Sequence, residues 1–385
     1  MTTGCPLCTR ARLAPFITRH GVPVHQNVPA PSREAARSTA RGDLTLAACL
    51  DCGFVTNTSF DERLVDYGEA YDNDQSCSER FDGYVQSLVD GMVADGVKGK
   101  RVLEIGCGKG YFLRRICQAG DNSGLGVDST YVGPLVADEG RVRFTRERFR
   151  PTEPQMRADA IVCRHVIEHV PDPSSLLGAL GAGMEPGSRA YFETPELGWI
   201  LDNVVVQDFF YEHCSYFTAE SLAFAFRRAG MRPCRVEHVF EGQYLWLVAE
   251  PAGRAAAPDP PEPPSLDRIQ SYQARERTSL ERWRDLLASA AKQGGVAVWG
   301  GGAKGVTFLN MLDPDCVSVD CVVDINERKQ GHYIPGTGHP IVAPADLAAR
   351  SVRHLVVMNP NYEAEIRRIV DALGLSLTVH GGNWE

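Results

Sequence analysis

At 385 residues, 43% apolar and 23% charged, the chain is long enough for two or three domains of ordinary globular composition. A formal charge of -9 argues against a general nucleic-acid binder, which needs a basic face, and no apolar run approaches the roughly 20 residues that span a bilayer. The start, MTTGCPLCTR, lacks an apolar signal core, so a cytoplasmic protein is expected, its twelve cysteines thiols or metal ligands rather than disulfides.

Residues 1–65 hold Cys5-Pro-Leu-Cys8 and Cys49-Leu-Asp-Cys52, two C-x2-C pairs with 40 residues between them. Each pair suits a tight turn that aims two sulfurs at one point, and Gly53 fits such a turn. Four thiolates complete a closed tetrahedral zinc site with no open position for chemistry, so Cys5, Cys8, Cys49 and Cys52 are expected to hold a structural Zn2+.

Residues 66–250 alternate helix-like and strand-like segments, the pattern of a parallel sheet. KRVLEIGCGKGYFLRRI reads as a strand ending at Ile105, a turn over Gly106-Cys107-Gly108-Lys109-Gly110, and a helix from Tyr111. The glycines let a ligand approach the backbone, and the helix start offers unpaired N–H groups. The next strand ends at Asp128, followed by Ser129; a carboxylate there can accept ribose hydroxyls. The G-x-G-x-G spacing, with Glu104 two residues before the first glycine, resembles motif I of class I S-adenosylmethionine-dependent methyltransferases. The likeness extends through Asp128 to ADAIVCRHV. It implies cofactor contacts at Glu104, Gly106, Cys107, Gly108, Gly110, Asp128, Ser129 and His165. His165-Val-Ile-Glu168-His169 also matches the H-x-x-E-H of inverted zinc peptidases. It starts where an apolar strand ends and offers no obvious third ligand, so the methyltransferase reading is preferred and His169 is expected to face the reaction centre.

EPAGRAAAPDPPEPPSL (250–266) reads as a linker, set at 251–266. Residues 267–385 begin with helical spacing up to Lys292 and continue as a second alternating block. VAVWGGGAKG fits G-x-G-x-x-G at Gly300, Gly302 and Gly305, and Asp324 closes the next strand, which taken alone predicts a dinucleotide site. GGGAKG, VDINERKQGHYIPGTGHPI and MNPNYEAEI together resemble the C-terminal domain of nucleotide-deoxysugar C-methyltransferases. That family joins a four-cysteine zinc domain, a methyltransferase core and this C-terminal domain, in the order seen here. The resemblance implies an α/β protein: a Rossmann-like methyltransferase core, an N-terminal zinc-binding domain and a C-terminal Rossmann-like domain that helps hold substrate without NAD. Its partners would be a nucleotide-linked sugar, with neither nucleic acid nor membrane, in a monomer or homodimer.

FFYEHCSYF (209–217) sets Glu212 and His213 among aromatic rings, where burial is unfavourable unless they are paired or used. The resemblance assigns this segment the catalytic pair. To methylate carbon beside a ketone, a base must remove a proton to form an enolate, and histidine is a suitable base near neutral pH. His213 is the expected base, with Glu212 to orient it or hold a substrate hydroxyl. Tyr71 would hydrogen-bond the keto oxygen, and His169 matches another active-site histidine. The family's tyrosine two before the glutamate is Phe210 here, with Tyr211 adjoining instead. Oxygen methylation, a non-sugar acceptor, a NAD-dependent oxidoreductase using Gly300–Gly305, and a zinc-stabilised sensor of nucleotides are the rival readings.

Overall fold

The computed structural model describes residues 4–68, 70–150, 157–252 and 266–381. The linker expected over 251–266 falls, apart from its two ends, outside the described residues. Strand β1 (Leu13–Pro23), helix α1 (Arg33–Arg37) and strands β2 (Arg41–Cys49) and β3 (Val55–Asn57) form an antiparallel meander. Each cysteine pair folds back on itself: Thr9 N donates to Cys5 O, and Gly53 N to Cys49 O. The turn between β2 and β3 thereby returns the second pair to the first. The Cys5 and Cys52 sulfurs lie 3.7 Å apart, those of Cys8 and Cys49 3.5 Å apart, and all four are buried within 4.8 Å of one another.

Helix α2 (Glu79–Ala94) leads into the central sheet. It is built from β4 (Arg101–Ile105), α3 (Tyr111–Gly120), β5 (Ser123–Val127), β6 (Val136–Ala137), β7 (Val142–Thr145), β8 (Ala160–Arg164), α4 (Pro173–Gly183) and β9 (Arg189–Pro195). After α5 (Leu197–Asp202) and β10 (Ser215–Tyr216) come α6 (Ala219–Arg228), β11 (Met231–Val239) and β12 (Tyr244–Pro251). The strand order is β11-β12-β9-β8-β4-β5-β7-β6; β9 to β7 are parallel, and β12 runs antiparallel to both β9 and β11. Alternate residues of β4 face opposite cores: Val102 packs with α2 and α3, Leu103 and Ile105 with α4 and α6. This is the two-sided burial that a parallel sheet requires. The chain winds outward from β4 through β5 to β7, then restarts on the other side at β8. The crevice above β4 and β8 is therefore the topological switch point where open sheets bind ligands.

Strand β10 leaves the central sheet and pairs antiparallel with β3, so part of the 66–250 segment belongs to the N-terminal sheet. Helix α7 (Leu266–Gln293) lies against the same sheet: Gln273 donates to Phe16 O at 2.7 Å, and Arg19 and Glu276 pair at 2.5 Å. It leads into β13 (Gly295–Trp299), α8 (Ala303–Leu312), β14 (Cys321–Val323), β15 (Ile341–Val342), β16 (Val352–Val357), α9 (Glu363–Ala372) and β17 (Thr378–His380). The five strands form a parallel sheet in the order β15-β14-β13-β16-β17. One core unites residues from β1 and β2, α5 and its following loop, α7 and the C-terminal sheet. No helix among the described residues is long and apolar enough to cross a membrane.

Tyr211 marks how tightly the N-terminal sheet takes the 209–217 segment. Its ring is fully buried and packs on Phe60, and its hydroxyl accepts from Asp61 N at 2.9 Å. A Cβ at Gly42 would stand 2.4 Å from that ring. Gly42→Ala is therefore expected to cost about 1–3 kcal/mol in chemical denaturation, as overpacking does. An unchanged unfolding midpoint would contradict this seating.

Candidate functional site

The carboxyl ends of β4, β5 and β8 face those of β13 and β14 across one cavity of about 720 Å3, and both glycine turns line it. Of the expected cofactor residues, Glu104, Gly106, Cys107, Gly108, Asp128, Ser129 and His165 line the cavity. Gly110 does not; it caps α3 from behind. The Asp128 carboxylate shapes the turn itself: one oxygen accepts from Gly108 N at 2.7 Å, the other from Thr130 N and Oγ1, both at 2.7 Å. A carboxylate has about four acceptor directions, of which Gly108 and Thr130 take three, so about one is left for a ribose hydroxyl. Burial pushes the Glu104 carboxyl up to about 8, and its Oε2 has no partner.

A second group of residues meets at the same cavity. Cys214 N donates to Glu168 O at 3.0 Å, and Ser215 Oγ to Val170 O at 2.7 Å. These bonds tie the FFYEHCSYF segment to the loop after β8 and bring the His213 and His169 rings to 4.8 Å between centroids, edge to face. Tyr67 Oη lies 2.8 Å from His169 Nδ1. Tyr71 packs edge-on against Tyr67 at 5.1 Å. His213 packs against Phe210 with ring centroids 4.0 Å apart and planes tilted by 41°, and its Nδ1 is buried without a partner among the described residues. Burial, then the neighbouring His169, His165 and Lys304, hold the His213 pKa well below its ordinary value. The ring is thus neutral, the form in which an imidazole accepts a proton.

Tyr71, His169 and His213 converge as expected; Glu212 and Tyr211 do not. Glu212 lies outside the cavity lining, where its Oε2 accepts from Gln26 N at 2.9 Å and burial pushes its pKa up to about 8. Its carboxylate therefore does not orient the neighbouring imidazole, and the Tyr211 hydroxyl is committed to Asp61. The reason is local: Phe210 and His213 line the cavity, while the two residues between them turn toward the N-terminal segment. Tyr67 was not singled out from the sequence, because nothing in VDYGEAYDN distinguishes its ring from Tyr71.

The H-x-x-E-H segment gains the third partner that the sequence did not offer, since Glu168, His169 and His213 come within 4.8 Å. Nδ1 of His169 is already engaged by Tyr67, so a cation held through that nitrogen would have to displace the tyrosine. His165 is differently placed, in left-handed backbone at φ +53°. Its Nε2 lies 3.2 Å from Glu193 and its Nδ1 3.4 Å from Glu168. Burial opposes its charge, but Glu193 and Glu168 outweigh burial and push its pKa up to about 9.

The second glycine turn has a packing explanation. Asp324 spends its carboxylate on Gly301 N and Asn326 N, each at 2.8 Å. A Cβ on Gly305 would stand 1.9 Å from Gly300 O, so the third glycine is required for α8 to lie against β13, whatever binds. Lys304, one residue earlier, pairs with Asp208.

Comparison with known proteins agrees with this architecture. The family model of a methyltransferase domain matches residues 78–235, and that of a C-methyltransferase C-terminal domain matches residues 264–375. Ubiquinone biosynthesis O-methyltransferase of Acinetobacter baumannii (strain AYE) is 34% identical over 110 residues, 26% of this chain and 46% of the relative. The Proteus mirabilis protein of the same name is 34% identical over 109 residues, 26% of this chain and 44% of its own length. The chain thus spans less than half of these curated relatives. Magnesium protoporphyrin IX methyltransferase of Synechocystis, solved with bound S-adenosylhomocysteine, is 19% identical, with a TM-score of 0.37 over 44% of this chain and 83% of that one.

The His165 environment has a pH signature. Its pKa is raised in the folded state, so its stabilisation is complete below about pH 6.5 and is lost as pH rises through about 9. The thermal midpoint of His165→Gln is expected to fall less steeply than wild type between those values, the difference amounting to about 3 kcal/mol at most. Parallel pH curves would rule out the charged imidazole.

Proposed function

From a chain that joins a methyltransferase domain to a C-methyltransferase C-terminal domain, we propose an S-adenosylmethionine-dependent enzyme that methylates carbon beside the ketone of a nucleotide-linked keto-deoxysugar. One observation carries the reading: a neutral, half-buried histidine, whose Nδ1 is buried with no partner among the described residues, lines the same cavity as the first glycine turn and Asp128. The residues fit a donor that supplies an electrophilic methyl group, with Glu104, the Gly106–Gly108 backbone and Asp128 to hold it. His213 takes the proton beside the ketone. Among the described residues Tyr71 receives only a long contact from Asn27, at 3.5 Å, which leaves its hydroxyl proton for the oxygen on which charge develops. Tyr67 and His169 brace that wall of the cavity.

The C-terminal side of the cavity supports an acceptor bearing phosphate. The start of α8 faces it, and Lys329, 5% exposed, has no hydrogen bond or ion pair from its ammonium among the described residues. A helix N-terminus beside a lysine is a favourable setting for an anion. Methylation of oxygen is the second reading, favoured by the names of the curated relatives. The product separates the two, since a methyl on carbon gives no oxygen-shifted proton resonance.

His213→Ala is expected to lower turnover by about 10²–10⁴ while S-adenosylhomocysteine binding, followed by calorimetry, changes little. Asp128→Ala is expected to weaken that binding instead. Equal binding defects in the two variants would sink the division of labour.

The four cysteines are proposed to hold one structural zinc. Their sulfur spacings of 3.5 and 3.7 Å approach the roughly 3.8 Å edge of a tetrahedron with zinc–sulfur bonds of about 2.3 Å. Elemental analysis of protein never exposed to chelator is expected to find one zinc per chain, and Cys49→Ser to lose it together with several degrees of thermal midpoint. Metal-free wild-type protein of full stability would refute the assignment.

A further inference from the structure

Asp72 directly follows Tyr71, and its side chain is 8% exposed and lies outside the cavity lining. Two cations from different parts of the molecule converge on it. Lys109, inside the first glycine turn, stands 3.2 Å from Oδ1. Arg328, in the loop after β14, donates to both oxygens, at 2.6 and 3.2 Å, and Asn326 Nδ2 adds a contact at 3.3 Å. One carboxylate thus joins the first glycine turn to the C-terminal sheet. Asp72 N also donates to Asn27 O at 2.8 Å, and the Asn27 side chain is the one that contacts the Tyr71 hydroxyl.

The chain that carries Asp72 crosses between the same two sides. Residues 71–78 form neither helix nor strand, and Tyr71 and residues 73–78 line the cavity. From Asp72 to Ser78 the sequence DNDQSCS offers no large apolar side chain, and the thiol of Cys77 is exposed. Apolar burial therefore does not hold this stretch; polar contacts do. Arg328 also reaches Asp74 at 2.9 Å, and Tyr362 Oη donates to Gln75 Oε1 at 2.7 Å. Glu365, in the first turn of α9, accepts from Ser78 Oγ at 2.6 Å and from Glu79 N at 3.1 Å, at the start of α2. A carboxylate is well placed at a helix N-terminus. Arg328, Tyr362 and Glu365 all belong to the C-terminal part of the chain. A segment held by ion pairs and hydrogen bonds, with little apolar burial, opens locally at low cost.

We propose that residues 71–78 are a strap closed across the cavity and that Asp72 is its latch, a positioning residue that keeps Tyr71 in place and releases when the methyl donor leaves. The donor's part in this assignment rests on the methyltransferase reading. The latch is electrostatic, two cations on one carboxylate, so added salt weakens it by screening.

Arg328→Gln tests the latch without touching the cavity, since Arg328 is half-exposed and outside the lining. In ligand-free protein, hydrogen exchange of the 71–78 amides, read by mass spectrometry, is expected to quicken by about 10-fold, as loss of a charge-assisted hydrogen bond allows. Release of S-adenosylhomocysteine, followed by stopped-flow displacement, is expected to quicken by a similar factor. The variant should also lose most of the acceleration by salt that wild-type release shows, which a merely structural role would leave in place. Asp72→Asn is expected to reproduce these effects; should it fail to fold by circular dichroism, Arg328→Gln decides alone. Unchanged exchange in Arg328→Gln overturns the latch. Faster exchange with unchanged release overturns the hold on the donor. Wild type that does not bind S-adenosylhomocysteine overturns the methyltransferase reading and the donor's part with it, while exchange still decides the latch.

Discussion

The geometry of the site depends on one crossing. Residues 209–217 run from the central sheet to the N-terminal sheet, and main-chain bonds hold them at both sides. Cys214 donates to Glu168 above the central sheet and accepts from Asn57 on the N-terminal one, while Ser215 and Tyr216 pair with Thr56 and Val55. Backbone pairing of this kind fixes register, and register fixes which side chain faces which way. His213 consequently faces the cavity and Glu212 faces Gln26. If the pairing slipped by one residue, the carboxyl would take the place of the imidazole.

Burial then sorts the charges. Glu104 and Glu212 are both desolvated and favour the neutral acid, each pushed up to about 8. Glu193 is equally buried, yet Arg164 and His165 outweigh desolvation and bring it down to about 2. The ionised Glu193 carboxylate, outside the cavity lining, is stable only because two cations and the Tyr84 hydroxyl surround it. The same packing withholds the proton from His213, which has cationic neighbours and no carboxylate bonded to it. Acid and base forms near one cavity thus arise from different surroundings rather than from different residue types.

Much of the architecture was legible in the chain. The cysteine knuckles, the two strand–turn–helix units and the helix after the proline-rich stretch lie where their patterns place them, with α7 spanning Leu266–Gln293 against an expected start near residue 267. The first glycine turn read well because its G-x-G-x-G and Asp128 are close in sequence. The catalytic side read less well. Tyr67 has no local signature, and contacts with distant segments turn Tyr211 and Glu212 away from the cavity. Asp128 and Asp324 each bond their own turn, a use of carboxylate that a spacing rule does not distinguish from ribose binding.

The sequence by itself determined what short-range physics controls. Glycines permit turns that carry no Cβ, alternating apolar residues make strands, and paired cysteines close on a common point, all within a few residues. Tertiary structure alone decided which of two adjacent polar residues reaches the cavity, how a tyrosine from one segment meets a histidine about 100 residues later, and that both glycine turns share one space. Those outcomes depend on contacts between distant segments, whose energies come from burial and pairing formed only when the sheets are packed together.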